Sequence, residues 1–236
     1  MPARILLALD TPDVATAVAQ TRAVGAAVDG VKLGLEFFIA NGPAGVREVQ
    51  GEGRPLFLDL KFHDIPNTVA GAVRSALALK PMLLTVHAGG GPEMLRRAAE
   101  AAREAGEGRP LVIGVTVMTS LGDDDLAAVG QQGPALDQVR RLAALAQKQG
   151  CDGVVCSARE ISALKRDCGA DFKLVVPGIR PAGSQVGDQK RIMTPGEASA
   201  LGADFLVIGR PITGAADSAA AARRIRQEIH PEAAAQ

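Results

Sequence analysis

Eight short apolar runs rich in β-branched residues recur along the chain: 5–9 (ILLAL), 31–35 (VKLGL), 55–60 (PLFLDL), 82–88 (MLLTVHA), 111–117 (LVIGVTV), 153–157 (GVVCS), 173–179 (KLVVPGI) and 205–210 (FLVIGR). Between most of them lie stretches rich in Ala, Leu, Glu and Arg with helical character, such as 66–79, 92–105, 134–149, 158–166 and 214–228. Strands that alternate with helices form parallel βα units, because parallel neighbours need a crossover. Eight such units in 236 residues fit an α/β fold of the closed (β/α)8 TIM-barrel type, with an open doubly wound sheet as the competitor. No low-complexity linker or shift in composition marks a boundary, so residues 1–236 are read as one domain.

The third run continues as FLDLKFHDIPNTV (57–69), which puts Asp59, Lys61 and Asp64 at the end of an apolar strand. Burying charge is costly unless the groups neutralise one another or do chemistry. Side chains alternate along a strand, so Asp59 and Lys61 share one face while Leu58 and Leu60 share the other. With the leucines against helices, the charged pair points into the barrel mouth. The same alternation aims Asp10, at the end of the first run, and Lys32, within the second, at that end. Such barrels keep their active sites there. A purely structural ion-pair network is the other reading, weakened because buried ion pairs stabilise poorly compared with apolar packing.

A second polar group follows the last two runs, at Pro177-Gly178-Ile179-Arg180 and Ile208-Gly209-Arg210. Loops after strands seven and eight commonly bind phosphate, with Gly permitting close backbone approach and Arg offering a forked donor. Residues 180–193 (RPAGSQVGDQKRIM) form a long polar stretch of the kind that serves as an active-site lid. Thr194-Pro195-Gly196-Glu197 then has the form of a capping box, so a helix is expected to start there.

Composition removes other classes. Lys+Arg and Asp+Glu balance at 26 each, and there is no Trp, no Tyr and only six Phe, so neither the basic stripe nor the aromatic platform of a nucleic-acid binder is present. Cys151, Cys156 and Cys168 lack disulfide or zinc spacing and read as reduced core thiols. His87 reads as a hydrogen-bonded barrel residue; His63 and His230 carry no evident role. MPARILLALD is too short for a signal segment and no run approaches ~20 apolar residues, so the expectation is a cytoplasmic protein without membrane contact.

Taken together, these residues resemble the orotidine 5'-monophosphate decarboxylase family. Asp59 to Thr68 looks like that family's D-x-K-x-x-D-I-x-N-T signature. Asp10, Lys32, Met118-Thr119-Ser120, Val176 to Arg180 and Ile208-Gly209-Arg210 fall in matching order, over most of the chain from Arg4 to about Ala222. The resemblance implies a homodimeric (β/α)8 barrel that removes CO2 from orotidine 5'-monophosphate, the last step of de novo UMP synthesis, without metal or organic cofactor. It implies Lys61 as proton donor to C6 and Lys32, Asp59 and Asp64 as the rest of an alternating charged array. Asp64 and Thr68 would reach the partner's site. Asp10 would hold ribose hydroxyls, Thr119 and Ser120 the ribose or pyrimidine edge, and Pro177, Arg180, Gln189, Gly209 and Arg210 the phosphate side. The competing readings are a magnesium-dependent sugar-phosphate decarboxylase or aldolase of the same superfamily, and a non-catalytic phosphate-ligand sensor. Ile65-Pro66-Asn67-Thr68 and the Met-Thr-Ser run favour the nucleotide enzyme; the retained Lys61 and aspartates disfavour the sensor.

Overall fold

A computed structural model describes residues 2–131, 133–181 and 193–229. Among them, eight parallel strands close into a barrel in sequence order: β1 (Arg4–Leu9), β2 (Gly30–Gly34), β3 (Leu56–Phe62), β4 (Leu83–His87), β5 (Leu111–Val115), β6 (Gly153–Val155), β7 (Lys173–Val176) and β8 (Phe205–Ile208), with β8 paired to β1. The open sheet is thereby excluded. Helices cover the outside: α1 (Val14–Val24), α2 (Leu35–Gln50), α3 (Pro66–Leu77), α4 (Pro92–Arg103), α5 (Asp123–Ala128), α6 (Ala135–Lys148), α7 (Ile161–Cys168), α8 (Pro195–Ala200), α9 (Arg210–Thr213) and α10 (Ser218–Ile229). None of the described helices is long and apolar enough to cross a membrane.

Period-two alternation decides which side chains go where. Leu6, Ala8, Phe57, Leu83, Ile113, Val175, Phe205 and Val207 pack together in one buried cluster that fills the barrel. Their strand neighbours Ile5, Leu7, Leu33, Leu58, Leu84 and Val112 join a second cluster against the helices. The late ends of the fifth, seventh and eighth apolar runs are not strand. After β7, the Pro177-Gly178 turn takes over, with Gly178 at φ 76, a conformation that disfavours any side chain. After β8, Pro211 sits in the first turn of the short α9, which precedes the expected helix at 214–228; that helix starts later, at Ser218, as α10. The expected capping box is present: Thr194 accepts from the Glu197 amide at 3.3 Å, and Glu197 accepts from the Thr194 amide at 2.9 Å.

The end of the barrel away from the strand C-termini is held by one device used three times. Asp29, Asp152 and Asp204 each stand just before a strand, and each accepts a backbone N–H of the preceding odd-numbered strand, from Ile5 at 2.7 Å, Val112 at 2.8 Å and Leu174 at 2.9 Å. Each also donates its own amide back to that residue's carbonyl, at 2.8, 2.9 and 3.0 Å. A base neutralises every carboxylate: Arg226 for Asp29, Arg109 for Asp152, and Lys165 with Lys173 for Asp204. These clamps join β1 to β2, β5 to β6 and β7 to β8 at their starts, which sets the register that brings the opposite ends level.

Asp152→Ala leaves both Arg109 and the Val112 amide without their shared acceptor. A loss of about 2–3 kcal/mol in denaturant unfolding is expected. A change within about 0.5 kcal/mol, the range of an indifferent surface substitution, would remove the clamp from the forces that hold the barrel.

Candidate active site

The strand C-termini surround a pocket of about 380 Å³, within the range of small-molecule sites. Its floor is apolar, formed by inner-face residues such as Phe57, Val115, Val175 and Val207. Its walls carry the expected polar groups. Asp10, Lys32, Asp59 and Lys61 line one side. Pro177, Gly178, Arg180, Gly209 and Arg210 come from β7 and β8, and Thr119 and Ser120 from the loop after β5. In a ring of eight strands β3 and β7 stand opposite one another, so Asp59 and Lys61 face the β7 side, while Asp10 after β1 stands next to the β8 side.

The row is continuous. Lys32 Nζ lies 2.9 Å from Asp10 Oδ1 and 3.9 Å from Asp59 Oδ2, and Lys61 Nζ lies 2.9 Å from the same Asp59 oxygen. Lys32 and Asp59 are only 8% and 9% exposed, while the Lys61 side chain is a third open to solvent. Charge thus alternates Asp10, Lys32, Asp59, Lys61 and ends on an ammonium. A side chamber of about 170 Å³ runs along the row, walled by Asp10, Lys32, Asp59 and Lys61 with Leu35, Glu36 and Phe37 from α2.

Lys61 reaches this place by an irregular route. Simple alternation puts it beside Asp59 on a regular strand, but its φ is 49, in the left-handed region that lysine rarely adopts. The β3–β4 pairing shifts there: Leu58 faces Leu84 and Phe62 faces Val86, so Asp59, Leu60 and Lys61 stand where β4 has only Thr85. The Lys61 amide donates to Thr85 Oγ1 at 2.8 Å, and that hydroxyl donates to Asp59 Oδ1 at 3.0 Å. Thr85 is fully buried and was not among the expected site residues. The only sequence signal is a hydroxyl on the inner face of an otherwise apolar strand, between Leu83 and His87.

On the facing wall, burial and then the Arg210 guanidinium pull Arg180 below the usual guanidinium range. Arg180 Nη1 donates to the Ile179 carbonyl at 2.9 Å. A buried guanidinium with a second one near it in the pocket lining suits an anion with several acceptor oxygens.

Asp64 and Thr68 are exposed and do not line the pocket. Asp64 Oδ1 accepts the Ile65 amide at 2.6 Å, and no ion pair joins it to Lys61 or Lys32 among the described residues. Gln189, most of the 180–193 stretch and His230 lie outside the described residues. His63 and His87 stack, with ring centroids 4.9 Å apart, and His87 Nδ1 accepts the Gly89 amide at 3.3 Å. Burial, followed by the charges of His63 and Lys61, lowers the His87 pKa from its ordinary 6.5, which favours the neutral ring. The cysteines are free; burial pushes Cys151 up to about 12 and Cys156 well above its usual value, so neither is a thiolate at neutral pH. Among the described residues no group of three or more His, Cys, Asp or Glu could hold a metal ion.

Comparison with known proteins gives a consistent answer. The model of the orotidine 5'-phosphate decarboxylase / HUMPS family matches residues 3–225. An orotidine 5'-phosphate decarboxylase of Paramagnetospirillum magneticum is 53% identical over 229 residues, 95% of this chain and 97% of its own length. Its counterpart from Rhodospirillum rubrum is 57% identical over 230 residues, 95% of this chain and 93% of its own. Among solved structures, the orotidine 5'-phosphate decarboxylase of Lactobacillus acidophilus superposes with a TM-score of 0.85 at 35% identity, covering 96% of this chain and 99% of that one.

Because the folded state holds His87 with a lowered pKa, the unfolded chain binds the extra proton first as pH falls, and stability declines as pH drops through and below 6.5. Denaturant titrations between neutral pH and mildly acidic pH are expected to show a shallower decline for His87→Gln. Identical slopes would mean that His87 does not contribute.

Proposed function

The chain belongs to the orotidine 5'-phosphate decarboxylase / HUMPS family, and from that membership we infer that it converts orotidine 5'-monophosphate to uridine 5'-monophosphate and CO2 in pyrimidine biosynthesis. The observation that carries the reading is the charged row, buried at Lys32 and Asp59 and ending on the Lys61 ammonium, in one pocket with Arg180 and Arg210. The reaction breaks the bond between C6 and its carboxylate and leaves the electron pair on a ring carbon with no adjacent carbonyl to receive it. An ammonium fixed beside that carbon stabilises the developing charge and then gives it a proton, while CO2 departs. We assign both tasks to Lys61, with Asp59 and Lys32 holding it in place.

Magnitudes decide between the two effects open to such a row. Repulsion between Asp59 and the departing carboxylate at ~4 Å is worth about 4 kcal/mol at an effective dielectric near 20. Enzymatic accelerations need about 8–23 kcal/mol. Transition-state stabilisation by Lys61 therefore carries more of the reaction than ground-state stress. Arg180, Arg210 and Gly209, with Pro177 and Gln189, are assigned to the phosphate, whose remote binding energy orders the site for the chemical step. Asp10 is assigned to the ribose, and Thr119 and Ser120 to the ribose or pyrimidine edge.

We further propose that the site is shared between two copies of the chain. The row stops on the partly open Lys61 ammonium, and a further carboxylate beside it continues the alternation. Asp64 and Thr68 face outward from their own barrel, close in sequence to Ile65, which is 68% exposed. Leu35 and Ile39 of α2 are 52% and 80% exposed, apolar surface of the kind a partner covers. In this reading the partner's Asp64 and Thr68 complete the site, and the enzyme works in the cytoplasm, where its nucleotide substrate is made.

The family description also covers enzymes outside nucleotide metabolism, so a magnesium-dependent sugar-phosphate enzyme is the second reading. The relatives at about half identity are all named for the nucleotide reaction. Purified protein is expected to convert orotidine 5'-monophosphate in excess EDTA. Folded protein that fails to do so, yet turns over a sugar phosphate with magnesium, would overturn the assignment. Arg210→Ala is expected to lower kcat/KM by at least about 100-fold without unfolding, a loss in keeping with a charged hydrogen bond to phosphate. Unchanged kinetics would take Arg210 out of the phosphate site.

A further inference from the structure

The geometry points to Thr85 as a positioning residue for the decarboxylation, one that holds Asp59 and the backbone of Lys61 in register through a single hydroxyl. This rests on the decarboxylase reading above and adds a residue to its machinery.

The hydrogen-bond directions follow from chemistry. The Lys61 amide can only donate, so at 2.8 Å it occupies a lone pair of Thr85 Oγ1. The hydroxyl proton is then available to Asp59, whose carboxylate can only accept, at 3.0 Å. Asp59 is divided as a result. Oδ1 belongs to Thr85, and Oδ2 faces both ammoniums, at 2.9 Å from Lys61 and 3.9 Å from Lys32. Rotation of the carboxylate would break the bond to Thr85 and the pair with Lys61 together.

The second half of the role lies in the backbone. Lys61 sits at φ 49 where the β3–β4 register shifts, so its amide is not part of the regular ladder. Thr85 stands alone on β4 opposite that bulge and supplies the acceptor a carbonyl would otherwise provide. A non-glycine residue persists in the left-handed region only when its surroundings over-determine it. Here the tie is the hydroxyl of a residue with no solvent exposure. Thr85 does not itself line the pocket, so its effect passes through Asp59 and Lys61, which do.

Thr85→Val keeps the β-branched shape and removes both hydrogen bonds; Thr85→Ser keeps the hydroxyl and removes a methyl. The test is steady-state kinetics with orotidine 5'-monophosphate, alongside calorimetric titration with uridine 5'-monophosphate and a thermal melt. For Thr85→Val, kcat is expected to fall about 10- to 100-fold, with KM and product affinity within about threefold of wild type. Thr85→Ser is expected to restore kcat to within about threefold. Should Thr85→Val fail to fold, Thr85→Ala takes its place in the comparison with Thr85→Ser. Folded Thr85→Val with wild-type kcat, or Thr85→Ser as impaired as Thr85→Val, would overturn this role while wild-type turnover keeps the decarboxylase reading intact. Absence of turnover in the wild-type protein would overturn both.

Discussion

A carboxylate between two ammoniums, nearly sealed from water, is the interaction around which this molecule is arranged. Asp59 is 9% exposed and lies within ion-pair distance of both Lys32 and Lys61. In water such pairs contribute little, and in a protein interior their desolvation offsets much of their attraction. An apolar trio would pack the same strand ends at lower cost. The row is intelligible as chemistry held ready, in the proposed reading a proton donor placed where negative charge develops, with its counter-charges already fixed. Preorganised charge of this kind needs no rearrangement during the reaction, which is why it is worth more than the same groups in solution.

The fold divides its two tasks between its two ends. At the strand starts, three aspartates exchange backbone hydrogen bonds with the neighbouring strand and take a basic partner. At the strand ends, backbone regularity gives way: β3 bulges, Lys61 turns left-handed, and β7 runs into a glycine turn before Arg180. Charges at the starts are each satisfied by a dedicated partner. At the other end the row stops on a partly open ammonium, and Arg180 and Arg210 come close enough in the pocket lining for the charge of Arg210 to lower the Arg180 pKa.

Much of this is legible in the residues themselves. The eight runs stand out because parallel strands buried on both faces read as continuous apolar stretches, and period-two alternation sorts Leu6 and Ala8 inward and Ile5 and Leu7 outward, as the packing does. Asp10, Lys32, Asp59 and Lys61 are visible because charge is out of place at an apolar strand end. Three things are not. Nothing local in Leu60-Lys61-Phe62 announces a left-handed residue, since no Gly or Asn marks it; the cause is a register shift against another strand. Thr85 has the profile of any β-branched strand residue until its neighbours across the sheet are known. Asp64 and Thr68 are exposed outside their own pocket, so a single chain's geometry gives them no role; Asp64 stands out in sequence only as a charge near a strand end, and resemblance alone gives either residue a task.

The most direct measurement of the central claim, that the charged row is completed by a second copy, mixes two variants. Lys61→Ala lacks the proposed proton donor; Asp64→Ala lacks the carboxylate proposed to cross to the partner. Each alone is expected to be inactive. After mild unfolding and refolding together in equal amounts, half of the dimers carry one of each chain, and one of the two sites in such a dimer has both groups. Recovery of about a quarter of wild-type turnover is therefore expected for a two-fold dimer with shared sites. No recovery, with mixed dimers demonstrably formed, would contradict the account and return Asp64 to its own barrel or to no catalytic role.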